Sequence, residues 1–305
     1  MKHTPASDTA YLRTERTNPV SADLDTKPAL EIVEIINRED HKVAKAVKRV
    51  LPQVAKAVEL VENALRRGGR LIYVGTGTSG RLGALDSSEC PPTFNTHPEQ
   101  VQYLIAGGDR ALGHAVEANE DSRETGRADM VKKRPGNKDV VIGLAASGRT
   151  PYTIAAVEYA RSKGAKTVAI VCNQNTPLAK VVNVAIEVEV GPEVLSGSTR
   201  MKAGSAQKMI CNMITTGAMT RLGYVYGNLM VNVHLKNEKL VERGIRIVQQ
   251  ITGLSEVEAA RAIERAGENL PIALVMTKAG VRKSEAARRL KKAEGNVRKA
   301  VEQKT

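Results

Sequence analysis

Polar and apolar positions divide the chain into an unpatterned start, a helical stretch, an alternating middle and a finely divided end. Residues 1–27 show no period and contain Thr14-Glu15-Arg16-Thr17-Asn18-Pro19, which predicts an extended arm rather than a core element. From Ala29 to Arg67, apolar side chains recur at three- and four-residue steps through Val43, Ala46, Val47, Val50, Val54, Val58 and Val61, the period of an amphipathic helix. Pro52 predicts a break there, and Gly68-Gly69 closes the stretch. Between 70 and about 190, short apolar runs predict strands over 70–74, 101–105, 139–144, 167–172 and 183–189. Helical stretches over 79–89, 110–133 and 151–163, and a short one before the last strand, separate them. Such alternation predicts an α/β fold, a doubly wound parallel sheet.

After Gly191-Pro192 the pattern predicts one long helix from Ser198 to Gly223 and another over 229–252. Past Gly253 come short amphipathic pieces, 255–266, 270–277, 283–291 and 295–303, which predict a small C-terminal helical domain. The expected division is therefore 1–253 for the sheet domain with its arm and helices, and 254–305 for the appendage.

Two turns stand out in this frame. Gly75-Thr76-Gly77-Thr78-Ser79-Gly80-Arg81 follows the first strand, and Ala145-Ala146-Ser147-Gly148-Arg149-Thr150 follows the third. Where a strand hands over to a helix, unpaired N–H groups and the positive dipole end point outward, and Ser or Thr hydroxyls can complete the hydrogen bonds of an anion. Neither turn has the spacing of a nucleotide signature: Gly80 falls one position early for GxGxxG, and GxxxxGK[ST] is absent. Either turn alone is equally well explained by capping and turn geometry. Together, separated by one strand and helix, they suit a sugar phosphate held across the carboxyl ends of a parallel sheet.

Composition narrows the field. With 42% hydrophobic residues over 305 positions, burial is not limiting, and no apolar run approaches the roughly 20 residues of a membrane span, so a cytoplasmic enzyme without membrane contact is expected. Cys90, Cys172 and Cys211 are odd in number and lack CxxC spacing, which argues against disulfides and a zinc site and for packed free thiols. The net charge of +13 raises the question of nucleic acid. Ten Lys or Arg against three Glu fall between Lys278 and Thr305, over half of the excess, and aromatics are only 3%, so a solvated basic face is expected and nucleic-acid binding is not.

With no metal-ligand cluster and no Ser-His-Asp pattern, carboxylates are the leading acid and base candidates, and no metal or cofactor is expected. Glu89 precedes Cys90-Pro91-Pro92; if the prolines end the helix there, the negative dipole end would favour its protonated form and suit it to act as an acid. Glu120 sits in the acidic run Glu117-Ala118-Asn119-Glu120-Asp121, read as a helix face. The loop 191–200 adds Glu193, and Ser198 and Thr199 as possible caps or ligand donors at the start of the long helix.

These segments carry a family resemblance. GTGTSGR at 75–81, DSSECPPTF at 86–94, AVEANED at 115–121, AASGRTPY at 145–152, GPEVLSGSTRMKAG at 191–204 and YGNLMVNV at 226–233, with the Thr14-Glu15 and Asn18-Pro19 pairs, closely resemble the N-acetylmuramic acid 6-phosphate etherases. The glycine turns alone indicate only the wider sugar isomerase (SIS) fold. The resemblance implies a carbon–oxygen lyase that cleaves the D-lactyl ether of N-acetylmuramic acid 6-phosphate to N-acetylglucosamine 6-phosphate and D-lactate, by elimination and water addition. It implies Glu89 as proton donor and Glu120 as the second catalytic glutamate, taken here as the base. Thr78, Ser79, Ser147 and Thr150 match phosphate-binding hydroxyls, Gly77 and Gly148 supply close backbone, and Glu193 and Ser198 would line the sugar side. The tail resembles a ubiquitin-associated-like fold, which in this family accompanies a homodimer. Two other functions fit the turns without the acid and base pair: a sugar-phosphate-binding regulator of the SIS fold, and an aldose-ketose isomerase.

Overall fold

The computed structural model describes residues 12–116, 120–235 and 238–303. Glu117, the Ala118-Asn119 pair and Lys304 of the basic tail lie outside the described residues. The chain forms two compact units, one of residues 1–87 and 99–215, the other of 88–98 and 216–305.

In the first unit the arm is not a free extension. Three short 3-10 turns, Arg13–Glu15, Pro19–Ser21 and Leu24–Thr26, lead into α1 (Ala29–Arg49) and α2 (Leu51–Arg66). Leu12 and Thr14 are buried, and Asn173 pins the arm: its Oδ1 accepts from the Arg13 N–H at 2.8 Å and its Nδ2 donates to Thr14 Oγ1 at 3.1 Å. The break between the helices falls at Val50, two residues before the expected site, because Pro52 sits in the first turn of α2, where a missing N–H costs nothing.

Five strands follow, β1 (Leu71–Gly75), β2 (Val101–Ile105), β3 (Val140–Leu144), β4 (Lys166–Val171) and β5 (Val184–Glu187), all parallel in the order β2-β1-β3-β4-β5. Between them run α3 (Gly77–Phe94), α4 (Arg110–Gly113), α5 (Arg123–Lys133), α6 (Pro151–Ser162) and α7 (Pro177–Lys180). Every residue of β1 and β3 is buried, which is why both read as unbroken apolar runs rather than alternating ones. Ile72, Val74, Val141, Met130, Tyr152, Ala156 and Val157 build one core against α5 and α6. Tyr73 points the other way and donates its hydroxyl to Asp86 of α3 at 2.8 Å. Asp86 also accepts from Asn212 and Thr215 of α8 (Lys202–Leu222), at 2.7 and 3.2 Å; burial pushes its carboxyl up against the pull of these donors.

Two expected helices differ in extent. The stretch 110–133 is not one helix: α4 ends at Gly113, and α5 begins at Arg123 with Ser122 as N-cap, its Oγ accepting from the Thr125 N–H at 3.0 Å. Pro91 and Pro92 do not stop α3, which runs on to Phe94; the chain leaves it at Asn95, in the left-handed region at φ 56°, with its N–H bonded to the Pro91 carbonyl. The start of α8 is Lys202 rather than Ser198. A buried ion pair braces it: Lys202 Nζ lies 2.6 Å from Glu39 Oε2 of α1, and both side chains are almost fully buried. Burial would raise Glu39, but hydrogen bonds from Lys202, Lys42 and Asn18 hold it down at about 2.

In the second unit, β6 (Val225–Tyr226) and β7 (Leu229–Met230) form a small antiparallel hairpin around Gly227, φ 61°, where a helix from 229 was expected. Helix α9 (Glu238–Thr252) packs with α10 (Glu256–Arg265) and α11 (Leu270–Ala279), and α11 in turn with α12 (Lys283–Lys292) and α13 (Val297–Glu302). Ile247 and Val248 of α9 share one core with Ile263, Leu274, Leu290 and Ala300. The helix expected to close the 1–253 part thus buries its apolar face among the helices of the tail. Ser255 and Glu258 form a capping box at α10, and Asn269 and Asn296 cap α11 and α13.

Candidate functional site

The sheet order reverses at β1 and β3, since the chain leaves β1 toward β2 on one side and returns to β3 on the other. In open parallel sheets such a switch point, at the carboxyl ends of the strands, leaves a crevice for ligand. Gly75 and Leu144, the last residues of β1 and β3, are register partners, so the two turns that follow them lie side by side. Between them is a cleft of about 260 Å³. Thr76, Gly77, Thr78 and Ser79 line it from the first turn; Ala145, Ala146, Ser147 and Thr150 from the second; Glu15, Glu120 and Thr199 complete it.

Each turn is shaped by close approach. Gly77 has φ 49°, and Gly75 and Gly80 come so near that a β-carbon on Gly80 would fall 2.8 Å from the Gly75 carbonyl oxygen. Gly148 has φ 67°, and a β-carbon there would sit 2.4 Å from Thr176 Cβ; its carbonyl accepts from the Leu178 N–H at 3.0 Å. Gly148 does not line the cleft; it lets the turn pass over the N-terminus of α7.

The hydroxyls are held differently. Ser79 donates to Gln207 Oε1 at 2.8 Å, and Gln207 is buried. Ser147 Oγ accepts from the Arg149 N–H at 3.2 Å, an arrangement that leaves its proton for another acceptor. Thr150 occupies the N-cap position of α6 without making a capping bond, so capping does not explain its hydroxyl. The long helices α3 and α6 both start at this cleft, whereas no Lys or Arg lines it among the described residues. Arg81 of the first turn is turned to the carbonyls of Ala111, Leu112 and His114 instead. Hydroxyls and helix N-termini without fixed cations suit a phosphate-sized anion.

Glu120 lies in the turn before α5, not on a helix. Its carbonyl accepts from the Tyr152 N–H at 3.1 Å, which ties it to the first turn of α6, and Tyr152 in turn donates its hydroxyl to Asp129 of α5 at 3.0 Å. Gly126 allows this pairing of α5 and α6, since a β-carbon there would strike the Tyr152 carbonyl at 2.2 Å. Glu120 Oε1 comes against Gly77, 3.3 Å from where a β-carbon would be. The carboxylate therefore stands beside the first cradle.

Glu89 is carried by α3 beyond Ser88, where the chain passes into the second unit; its side chain is exposed and it is not among the residues that line this cleft. It lies five residues short of the end of α3 and so does not meet the negative dipole end expected for it, an effect confined to the last turn. Glu193 is fully buried, and its two oxygens accept from the Lys202 and Ala203 N–H groups at 3.0 and 2.9 Å. It caps α8, the task expected of Ser198 or Thr199, and is absent from the lining. Burial pushes its carboxyl up, against those two donors. Ser198 also lies outside the lining, and its neighbour Thr199 takes the place facing the cleft. Glu15 was missed by periodicity because its segment has none; the only trace in the sequence is the Thr14-Glu15 pair that carries the resemblance.

The cysteines are free and buried, and burial pushes the thiols of Cys172 and Cys211 up, away from reactivity. Among the described residues no group of three or more His, Cys, Asp or Glu could hold a metal ion, and no helix is long and apolar enough to cross a membrane.

Two family models agree with this architecture. Residues 53–161 match the family model described as glucokinase regulatory protein N-terminal SIS domain, and residues 120–217 match the SIS domain model. A phosphoheptose isomerase structure from Francisella tularensis aligns with a TM-score of 0.47 at 17% identity, over 64% of this chain and 100% of its own. N-acetylmuramic acid 6-phosphate etherase 1 of Vibrio cholerae is 49% identical over 97% of this chain and 99% of its own length. The N-acetylmuramic acid 6-phosphate etherase of Klebsiella aerogenes is 50% identical over 96% and 98%. At that identity, sustained over nearly the full length of both relatives, the chain belongs to the N-acetylmuramic acid 6-phosphate etherase family.

Proposed function

We propose that this protein cleaves the D-lactyl ether of N-acetylmuramic acid 6-phosphate, giving N-acetylglucosamine 6-phosphate and D-lactate. The observation that carries the proposal is the meeting of Thr78, Ser79, Ser147 and Thr150 with the carboxylate of Glu120 in one cleft at the switch point of the sheet. The 6-phosphate is taken by the hydroxyls and by the N-termini of α3 and α6. In the open-chain sugar the C1 aldehyde acidifies the proton on C2. Glu120 removes that proton, the C3–O bond to lactate breaks, and a protonated carboxyl delivers a proton to the departing oxygen. Water then adds to the unsaturated aldehyde at C3 with return of a proton to C2, so the balance is ether plus water to alcohol plus lactate.

Glu89 is the proposed donor to the leaving oxygen, a role that rests on its place in DSSECPPTF and on family membership. The protein is proposed to act in the cytoplasm as a homodimer, on an amino-sugar phosphate and without a cofactor. The match of residues 53–161 to a regulatory SIS domain favours one alternative, a sugar-phosphate sensor, which needs the cradles but no acid or base. Incubation of the protein with N-acetylmuramic acid 6-phosphate and assay of D-lactate separates the two: release of lactate is expected, and tight binding with no lactate would favour the sensor. An aldose-ketose isomerase would return a ketose phosphate instead.

A further inference from the structure

The cleft holds a second carboxylate, supplied by the arm. Glu15 ends the 3-10 turn Arg13–Glu15 and lines the cleft together with both cradles. The arm is fastened there at several points. Thr14 is fully buried, and Asn173, which bonds Arg13 and Thr14, also donates to the Ala146 carbonyl in the second cradle at 3.1 Å. Further along, Asn18 donates to the Pro192 carbonyl at 3.2 Å and Ser21 to the Val194 carbonyl at 2.7 Å. Glu15 itself comes under the loop that Thr199 closes, with Oε2 3.5 Å from where a β-carbon of Gly197 would be. Its carboxylate has no hydrogen bond or ion pair among the described residues. The backbone is anchored while the side chain is left exposed in the cleft.

An ionised carboxylate only accepts hydrogen bonds, and it repels a phosphate dianion. The partners that suit it in this cleft are the hydroxyl donors of a sugar. We infer that Glu15 is a substrate-contacting residue, whose carboxylate accepts hydrogen bonds from hydroxyl groups of the phosphorylated sugar and so distinguishes a sugar phosphate from a bare phosphate. The inference rests on the sugar-phosphate reading of the cleft and not on the ether cleavage.

The test is calorimetric binding of N-acetylglucosamine 6-phosphate and, separately, of inorganic phosphate to the full-length protein, Glu15→Gln and Glu15→Asp. For Glu15→Gln the sugar phosphate is expected to bind about tenfold or more weakly, the size of a lost charge-assisted hydrogen bond, while inorganic phosphate binds as well or better. Glu15→Asp, which keeps the charge, should leave inorganic phosphate at the wild-type affinity. Parallel weakening of both ligands would mean that Glu15 merely holds the arm in place, and unchanged sugar-phosphate binding would mean that it touches no ligand; either overturns the inference. Lactate release is assayed beside these titrations, so that wild-type protein which binds the sugar phosphate and releases no lactate defeats the etherase reading alone.

Discussion

The carboxylate of Glu120 stands on the side of Gly77 where a β-carbon would be, and Oε1 would lie 3.3 Å from that β-carbon. The contact joins the candidate base to the turn that opens α3, and it makes the glycine answerable for two things: the left-handed backbone, φ 49°, and the room in which the carboxylate stands.

Gly77→Ala is therefore expected to keep the fold, at a cost of about 1–2 kcal/mol for a left-handed L residue, and to lose lactate release out of proportion, by at least about tenfold, as the methyl group displaces Glu120. Urea unfolding and a lactate assay on the same preparation check this. Activity that falls no further than the folded fraction would show that the approach of Glu120 to Gly77 is incidental.

Gly148→Ala is expected to act on stability first. The new β-carbon would fall 2.4 Å from both Cβ and Oγ1 of Thr176, the residue whose Oγ1 caps α7 by accepting from the Ala179 N–H, and the backbone would be strained at φ 67°. Strain and overpacking together predict a loss of about 2–5 kcal/mol in denaturant unfolding. A loss below about 1 kcal/mol would mean that the two turns yield easily.

The Glu39–Lys202 pair should reveal itself through pH. Glu39 is held at about 2 in the folded protein against an ordinary 4.5, so its contribution is fully present above about pH 4.5 and is lost as pH falls toward 2. Lys202→Met, which takes the buried partner from Glu39 and leaves it only Lys42 and Asn18, is expected to cost about 1–3 kcal/mol at neutral pH, and Glu39→Leu combined with it should recover much of that. Urea midpoints measured between pH 7 and pH 2.5 check both, and a wild-type protein no more sensitive to acid in this range than the double variant would exclude the pair as a source of acid sensitivity.

Much of the sheet was legible in the chain because buried parallel strands leave unbroken apolar runs, as in Leu71-Ile72-Tyr73-Val74 and Val140-Val141-Ile142. The positions of the two turns were legible for the same reason, each being the polar interruption directly after such a run. Hidden features depend on partners far along the chain. Glu193 caps α8 across nine residues, beyond the reach of any local capping rule, and Thr14 is buried because Asn173, in a distant turn, bonds it. The hairpin at 225–230 had a local sign that helical periodicity overrode: Gly227-Asn228 between two apolar pairs. Prolines 91 and 92 misled in the other direction, since α3 carries both to Phe94 although each lacks the N–H of an i→i−4 bond.

Release of D-lactate from N-acetylmuramic acid 6-phosphate by the wild-type protein and by Glu120→Gln, with binding of N-acetylglucosamine 6-phosphate measured on both, tests the central claim most directly. The account predicts lactate and N-acetylglucosamine 6-phosphate in equal amounts from the wild type, and a loss of at least about a thousandfold in the variant with sugar-phosphate affinity nearly unchanged. Near-normal lactate release by Glu120→Gln would contradict it.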